Sequence, residues 1–333
     1  MSRTKAAKYS LLPKLLDAAL EMEERADDYE KAFMARQLVQ CTLPHSNPGD
    51  TPIWTRTNGW LTLAIKPHFD LKTKKPLYPY GTIPRLLLFW IVTEANRQKN
   101  DKTLTAQEKR VLRLGSSLDA FMRDIGLSPL TGGGKRGDAK RLRNQAERLF
   151  RSEIIFDERN GGVTYEDMKV APRGYLFWEA KRSGQQDLLP SWVQLGESFY
   201  EAITERPVPI DTRALRALKQ SPLTLDLYAL LVYKTFAANR RKEKGLDSSQ
   251  TIPWEGLHRQ MGTERDLALF KFKVRKALPR IRLVYRGVNV EATGEGLRVG
   301  PGKTPIPPAT LDGELAKLEP EEQGVEIIIK KRS

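Results

Sequence analysis

One glycine-rich stretch matches a nucleotide-binding pattern, so it is a candidate site for binding a nucleotide or another phosphate. Gly132-Gly133-Gly134-Lys135-Arg136-Gly137 fits the G-x-G-x-x-G signature of dinucleotide-binding folds and precedes a predicted helix. That signature needs a strand directly before the glycines, but residues 116–130 have helical spacing instead. The P-loop pattern also fails, because Arg136 stands where it requires Ser or Thr. We therefore expect no bound nucleotide, and we interpret the loop as an anion site at a helix N-terminus.

The helix predicted after this loop, at residues 138–151, has two faces of opposite character. Its apolar stripe is formed by Leu142, Ala146, Leu149 and Phe150. The opposite face carries four cations and an amide, namely Lys140, Arg141, Asn144, Arg148 and Arg151. Arg and Asn are suited to bidentate contacts with guanine and adenine edges. Together with Lys135 and Arg136, these side chains predict a DNA-binding surface, and a solvated basic face beside a flexible turn is the alternative that remains open.

A second basic helix is predicted at residues 264–278. From Lys271 to Arg286 there are seven basic residues and no acidic one. The candidate contacts on its exposed side are Lys271, Phe272, Lys273, Arg275, Lys276 and Arg280. For Phe272, contact with a thymine methyl group and packing beneath a neighbouring hairpin are both open. Arg240 and Arg241 belong to a further positive run, for which phosphate contact and a solvated helix end are equally open.

The overall charge agrees with a polyanionic partner. The 333 residues include 56 Lys and Arg against 41 Asp and Glu, which gives a formal net charge of +15. A small globular domain usually carries a net charge of about 2–8 in magnitude. Nucleic acid is the commonest polyanion that such an excess serves.

Several other classes of chemistry lack their sequence signatures. His45, His68 and His258 do not have the spacing of metal ligands, and Cys41 alone cannot complete a zinc site or a disulfide. A catalytic elbow and a signal-peptide core are both missing, and the longest apolar run, Leu86 to Val92, is far too short to span a membrane. The sequence therefore predicts a non-enzymatic cytoplasmic protein that binds neither cofactor nor metal nor membrane.

The predicted elements that must position the two basic helices occur in a repeated order. Before the first basic helix we expect a helix at residues 11–40, a hairpin around Asn58-Gly59, a buried helix from Pro84 and a short helix at 116–125. Strands at 154–166 and 173–181 follow it. A connecting helix at 191–206 leads to the second unit. That unit has an extended segment at 207–211, an apolar helix at 223–242, a short helix at 253–261, the basic helix, and strands at 281–301.

Helix, helix, turn, basic helix and β-hairpin is the order of a winged helix-turn-helix domain. The predicted fold class is therefore α+β, mainly helical, with two tandem winged helix-turn-helix domains and β-hairpin wings. The predicted division is an N-terminal helical extension (1–49), a first winged-helix domain (50–182), the connecting helix (183–206), a second winged-helix domain (207–300) and a Pro-rich, then acidic tail (301–333).

Several segments resemble the plasmid RepA-type replication initiators, which are relatives of the iteron-binding Rep proteins. They are PYGTIPRLLLFWIVTEA at 79–95, LGSSLDAFMRDIGL at 114–127, the helix ending ERLFRSEI, and PVPIDTRALRALKQSPLTLDLYALLVYK at 207–234. The resemblance covers about residues 50–300. The triple glycine with Lys135 and Arg136 departs from the family pattern, which puts the length of the first turn in doubt.

The resemblance implies a plasmid-borne initiator in the bacterial cytoplasm that controls plasmid replication. It implies binding to direct repeats (iterons) in double-stranded origin DNA, help in opening the origin, and recruitment of the host initiator and replicative helicase. It also implies a homodimer as a second state. The helix at 264–278 would be the principal reading helix and the helix at 138–151 the second. A winged-helix transcription regulator, acting as an autorepressor on operator DNA, is the alternative that shares the same DNA-binding physics.

Overall fold

The structure is a computed structural model that describes residues 3–115, 117–129, 137–158, 168–176, 191–262 and 266–308, with backbone alone at 3–11. Within these ranges the chain is a mixed α+β protein with several small antiparallel sheets, as predicted. None of the described helices is long and apolar enough to cross a membrane.

Ten α-helices lie in the described ranges: α1 (Arg3–Glu24), α2 (Arg36–Gln40), α3 (Thr82–Lys99), α4 (Leu118–Asp124), α5 (Asp138–Phe150), α6 (Glu197–Glu205), α7 (Thr212–Leu218), α8 (Pro222–Glu243), α9 (Trp254–Met261) and α10 (Leu267–Val284).

The described strands are β1 (Lys31–Ala35), β2 (Trp54–Asn58), β3 (Leu61–Lys66), β4 (His68–Phe69), β5 (Pro76–Leu77), β6 (Val111–Arg113), β7 (Glu153–Glu158), β8 (Arg173–Tyr175), β9 (Trp192–Gln194), β10 (Pro207–Asp211), β11 (Gln250–Pro253), β12 (Asn289–Ala292) and β13 (Gly296–Gly300).

Two runs of elements share one order and one strand arrangement. The first run is α3, β6, α4, α5, β8 and β9, and its sheet has the order β6-β9-β8. The second run is α8, β11, α9, α10, β12 and β13, and its sheet has the order β11-β13-β12. In both sheets the first strand therefore pairs with the last. The first run differs by an additional strand, β7, which follows α5 and pairs with β3 of the β2–β3 hairpin.

The sequence patterns located most of these elements. The β2–β3 hairpin turns at Asn58-Gly59, where Gly59 has a φ of 57° that favours glycine. Helix α3 begins within two residues of Pro84, and Leu86 to Val92 is buried except for half-buried Trp90. The turn predicted at Asn160-Gly161-Gly162 lies outside the described residues.

Three predictions of helix or strand are wrong in part, and in each case tertiary packing explains the difference. The helix predicted at 11–40 ends at Glu24, because residues 31–35 form β1 and pair along their whole length with β10. The connecting helix begins only at Glu197, since Trp192–Gln194 is the middle strand of its sheet. The strand predicted from Ile281 is the last turn of α10, where Ile281 and Val284 continue the buried stripe.

A buried polar cluster joins α3 of the first run to α8 of the second. The Arg85 guanidinium donates to both carboxylate oxygens of Asp226, each at 2.7 Å. It also donates to the carbonyl oxygens of Leu43, Pro44 and Gly81. His45 Nε2 lies 3.0 Å from Asp226 Oδ2. Since apolar side chains of both runs surround this cluster, the two runs share one core.

Candidate nucleic-acid interface

Helix α10 presents a basic outer face because its inner face is apolar at helical spacing. Val274, Ala277, Leu278 and Ile281 are buried on the side of α10 that packs against α1, α7, α8 and α9. Asp266 caps the helix by accepting a hydrogen bond from the Ala268 N–H at 3.1 Å. On the opposite side, the predicted residues Phe272, Lys273, Arg275 and Lys276 are all exposed.

The exposed face of α10 carries no negative charge of its own. No acidic residue occurs between Leu267 and Val290. Within the described part of the chain, no ion pair involves Lys273 or Arg275. The countercharge of this face therefore comes from outside the helix, and an anionic partner could supply it.

Trp254 supports two of these cations from below. Its indole is 1% exposed, and its Nε1–H donates to the Thr293 carbonyl oxygen at 3.1 Å, between β12 and β13. Arg275 Cζ lies 5.4 Å and Lys271 Nζ 5.9 Å from the centroid of the ring. Cation–π attraction of this kind holds the two side chains side by side, one helical turn apart. Sequence patterns missed Trp254, because nothing local connects it with residues 17 and 21 positions further on.

Phe272 is the most exposed apolar side chain of α10, at 59%. It is therefore not packed beneath the β12–β13 hairpin, which was one of the two interpretations of this residue. Lys276 Nζ lies 5.6 Å from the centroid of its ring. Arg280 differs from the others, because it lines a shallow cleft with Leu12 of α1 and Thr224 of α8.

The cations of α5 are arranged differently from those of α10. Arg141 pairs with Asp138 at 3.1 Å and Arg151 with Glu147 at 3.2 Å, both within the helix. Arg148 donates to Asn144 Oδ1 at 2.8 Å and to the Tyr78 carbonyl oxygen at 3.2 Å.

All three predicted arginines of this face are therefore bonded within the protein. Arg141 and Arg151 pair with carboxylates, and Arg148 bonds to Asn144, which is itself one of the five predicted side chains. Lys140 is exposed. Lys135 and Arg136 of the glycine loop lie outside the described residues. A polyanion that contacts α5 competes with Asp138 and Glu147, whereas Lys273 and Arg275 of α10 take part in no ion pair within the described residues.

Arg240 and Arg241 lie at the C-terminal end of α8. Arg240 pairs with Glu243 at 3.0 Å, and Arg241 Nε donates to the Asp247 carbonyl oxygen at 2.7 Å. These contacts stabilise the end of the helix, where basic side chains also interact favourably with the negative end of the helix dipole. Both side chains are half-buried.

The C-terminal end of α9 is held by the β2–β3 hairpin. Arg56 of β2 donates to the Gly262 carbonyl oxygen at 2.8 Å, and Gln260 Nε2 donates to Asn58 Oδ1 at 3.0 Å. Gly262 itself has no room for a side chain, since a Cβ there would lie 2.1 Å from His258 Cδ2 and 2.4 Å from the His258 carbonyl oxygen. The C-terminal end of α9 therefore depends on Gly262 and on a hairpin some 200 residues earlier in the chain.

We expect Gly262→Ala to displace the C-terminal end of α9 and to lower the free energy of unfolding by about 1–3 kcal/mol, the usual cost of overpacking. Urea unfolding measures the effect. Gly294→Ala is the matched control, because a Cβ at Gly294 has no heavy atom within 4 Å. Equal stability of the two variants would show that the turn at Gly262 adapts without cost.

Nothing in the described part of the chain groups three or more His, Cys, Asp or Glu side chains in a way that could hold a metal ion. Burial raises the pKa of the Cys41 thiol to about 12, so this cysteine is protonated at neutral pH.

Comparison with known protein families finds one match, to the family described as plasmid encoded RepA protein, over residues 78–256. The matched segment is more than half of the chain, begins after β5 and ends within α9. It contains α5, whereas α10 follows it. No curated protein and no solved structure matches the chain.

Proposed function

The chain belongs to the family of plasmid-encoded RepA proteins, and from its implied role in plasmid replication we propose that it is a replication initiator that binds repeated sequences in double-stranded origin DNA. The observation that carries this proposal is the outer face of α10, where Lys271, Lys273, Arg275 and Lys276 stand on a helix that has no acidic residue.

The order of elements supports two winged-helix units as the DNA-binding frame. In such a unit the second helix of the helix-turn-helix enters the major groove and the β-hairpin flanks it. The second run fits this plan with α9 and α10 as the two helices and β12–β13 as the hairpin. The first run fits it with α4 and α5. We propose residues 207–300 as the second domain. We extend the first domain, which begins near residue 50, beyond the predicted end at residue 182, because its sheet includes β9.

On this assignment α10 is the principal reading helix. Its lysines neutralise phosphates and release counterions, which supplies affinity without sequence choice. Arg275 is suited to the O6 and N7 atoms of guanine, and the exposed ring of Phe272 to a thymine methyl group. Helix α5 is the second reader, and its internal ion pairs make its contribution to affinity the smaller of the two.

The hairpin of the second unit contributes chiefly by supporting α10. The exposed residues around its turn include Glu291 and Glu295, which repel phosphate. Through the hydrogen bond to Trp254, the same turn supports the indole ring beneath Lys271 and Arg275. We therefore propose that α10, and not the tip of this hairpin, makes the phosphate contacts of the second unit.

The proposed mechanism is non-covalent and needs no catalytic residue. Two reading helices on one DNA molecule constrain its path, and the resulting strain favours melting of adjacent A·T-rich DNA. From the family resemblance we also propose that the protein recruits the host initiator and the replicative helicase. The resemblance further implies a homodimeric state.

The test is binding of the purified protein to DNA from its own replicon and to scrambled DNA of equal length, across a series of salt concentrations. We expect a preference of about 10³-fold or more for the origin fragment that persists as salt rises. Footprints on direct repeats support the initiator, and a single palindromic footprint assigns the autorepressor role instead. Equal affinity for both DNAs at every salt concentration contradicts both.

A further inference from the structure

A small basic hairpin, β4–β5, has no part in the function proposed so far. Two cross-strand pairs, His68 with Leu77 and Phe69 with Pro76, close it. It precedes the segment that matches the RepA family. Its loop, residues 70–75, reads Asp-Leu-Lys-Thr-Lys-Lys.

Hydrogen bonds centred on Asp70 hold the loop in one shape. The Asp70 carboxylate accepts from the N–H groups of Lys72 at 2.9 Å and Thr73 at 2.7 Å. The Asp70 backbone pairs with Lys74 N–H at 2.7 Å and with the Lys75 carbonyl oxygen at 3.0 Å. These bonds lower the pKa of the Asp70 carboxyl, so the turn keeps its acceptor at neutral pH. Lys74 adopts a φ of 57°, a conformation more usual for glycine, and keeps its charged side chain exposed at the tip.

The loop exposes one large apolar side chain among cations. Leu71 is 85% exposed, more than any other large apolar side chain that the structure describes. Lys72, Lys74 and Lys75 of the same loop are all exposed, and within the described residues no ion pair involves them. Burial of this side chain by a partner would remove its apolar surface from water and so stabilise the complex. The cations indicate that this partner is negatively charged.

The hairpin is anchored beside α5. Immediately after β5, the Tyr78 carbonyl oxygen accepts from Arg148 of α5, and the Tyr80 N–H donates to Gln145 Oε1 at 3.0 Å. The Arg148 guanidinium lies 5.6 Å from the centroid of the Tyr80 ring. On the other strand, burial and the charge of Arg151 both lower the pKa of His68. The segment that follows β5 is therefore bonded to the helix that carries the second predicted DNA-binding face, and His68 of β4 lies within the electrostatic influence of Arg151 at its end.

We propose that the β4–β5 hairpin is a further DNA contact, in which Leu71 inserts between base pairs from the minor groove while Lys72, Lys74 and Lys75 bind the flanking phosphates. This inference rests on the proposed function, since it needs α5 on the same duplex. Leucine and phenylalanine wedges of this kind unstack a base step and kink the duplex. A rigid loop suits that role, because a wedge that must also be ordered on binding loses part of its binding free energy.

The experiment compares full-length wild-type protein with Leu71→Ala on the origin fragment. Bending is measured by circularly permuted fragments and unstacking by permanganate reactivity of thymines. We expect Leu71→Ala to protect the same sites as wild type but to lose most of the bend and of the permanganate reactivity nearest to α5. Leu20→Ala is the matched control, because Leu20 is 54% exposed on α1 and lies on another part of the surface.

The lysines are tested separately by the variant Lys72→Gln/Lys74→Gln/Lys75→Gln. If each lysine contacts one phosphate, this variant should reduce the magnitude of the negative slope of log affinity against log salt by about 2.7. Lys102→Gln, an exposed lysine outside the hairpin, serves as its control.

The outcomes separate this inference from the function on which it rests. If wild type shows no preference for the origin fragment, the proposed function fails and the inference fails with it. If wild type is specific but Leu71→Ala bends and unstacks DNA as wild type does, only the inference is overturned. A third outcome is that the hairpin variants distort DNA as wild type does but no longer bind a labelled polyglutamate peptide that wild type binds. That outcome would assign the hairpin to an acidic protein surface and would also overturn the inference.

Discussion

Asp226→Ala is expected to lower the free energy of unfolding by about 3–5 kcal/mol, the usual cost of leaving one partner of a buried ion pair alone. Arg85 is 2% exposed and directs its guanidinium at Asp226, so the variant strands a cation in the core. Carbonyl oxygens of Leu43, Pro44 and Gly81 remain as acceptors, but they carry no full charge. Urea unfolding at neutral pH measures the loss.

A double variant distinguishes loss of the ion pair from general damage to the core. Replacing both charges by apolar groups, as in Arg85→Met with Asp226→Leu, removes the stranded cation and should recover much of the stability. Asp17→Ala, at an exposed acid of α1, is the control and should change stability by less than about 0.5 kcal/mol. If the double variant is as unstable as the sum of its two single variants, the two charges do not interact.

The same carboxylate sets a pH dependence whose sign follows from its pKa. Burial alone would raise the pKa of Asp226, but the Arg85 guanidinium and the hydrogen bond from His45 outweigh burial and hold it at about 2, below the ordinary value of 3.8. Since the unfolded state binds the proton first, this contribution to stability is fully present above about pH 4 and is lost as pH falls towards 2. Burial also lowers the pKa of His45, and because an ionised carboxylate can only accept, Nε2–H of His45 is the donor in its hydrogen bond to Asp226. The stability difference between wild type and Asp226→Asn should therefore shrink between pH 4 and pH 2.

Removing the four cations of the α10 face is expected to have the largest effect on DNA binding. The variant for this test is Lys271→Gln/Lys273→Gln/Arg275→Gln/Lys276→Gln. If each cation neutralises one phosphate, it should reduce the magnitude of the negative slope of log affinity against log salt by about 3.6. Arg275→Ala alone should cost about 1–3 kcal/mol of binding free energy and relax the preference at one base pair, provided that Arg275 reads a guanine. Footprinting and fluorescence titration against origin and scrambled DNA measure both effects.

Helix α5 offers the matched comparison for this variant. Lys140→Gln/Arg141→Gln/Arg151→Gln removes three cations, but two of them already pair with Asp138 and Glu147. We expect a smaller change of the salt slope per residue than in α10. Thermal unfolding of both variants controls for folding, since exposed substitutions should leave it nearly unchanged. An unchanged salt slope in the α10 variant would remove the physical basis of the proposed function.

Features that depend only on neighbouring residues could be predicted without a structure. The apolar stripes of α5 and α10 identify two helices and their basic outer faces, because a helix repeats every 3.6 residues. Asn58-Gly59 locates a hairpin and Pro84 the start of a helix for equally local reasons. The excess of positive charge is likewise visible without any structure.

Contacts between segments that are distant in the chain could be identified only from the tertiary structure. The strand at 31–35 exists because β10, more than 170 residues away, supplies its hydrogen bonds. Arg85 meets Asp226 across 141 positions, and Trp254 reaches the underside of α10 through the fold of α9. The difference between the paired cations of α5 and the acid-free face of α10 also depends on side-chain geometry. Periodicity reports which side of an element is apolar, whereas the partner of that side is set by packing between segments that are distant in the chain.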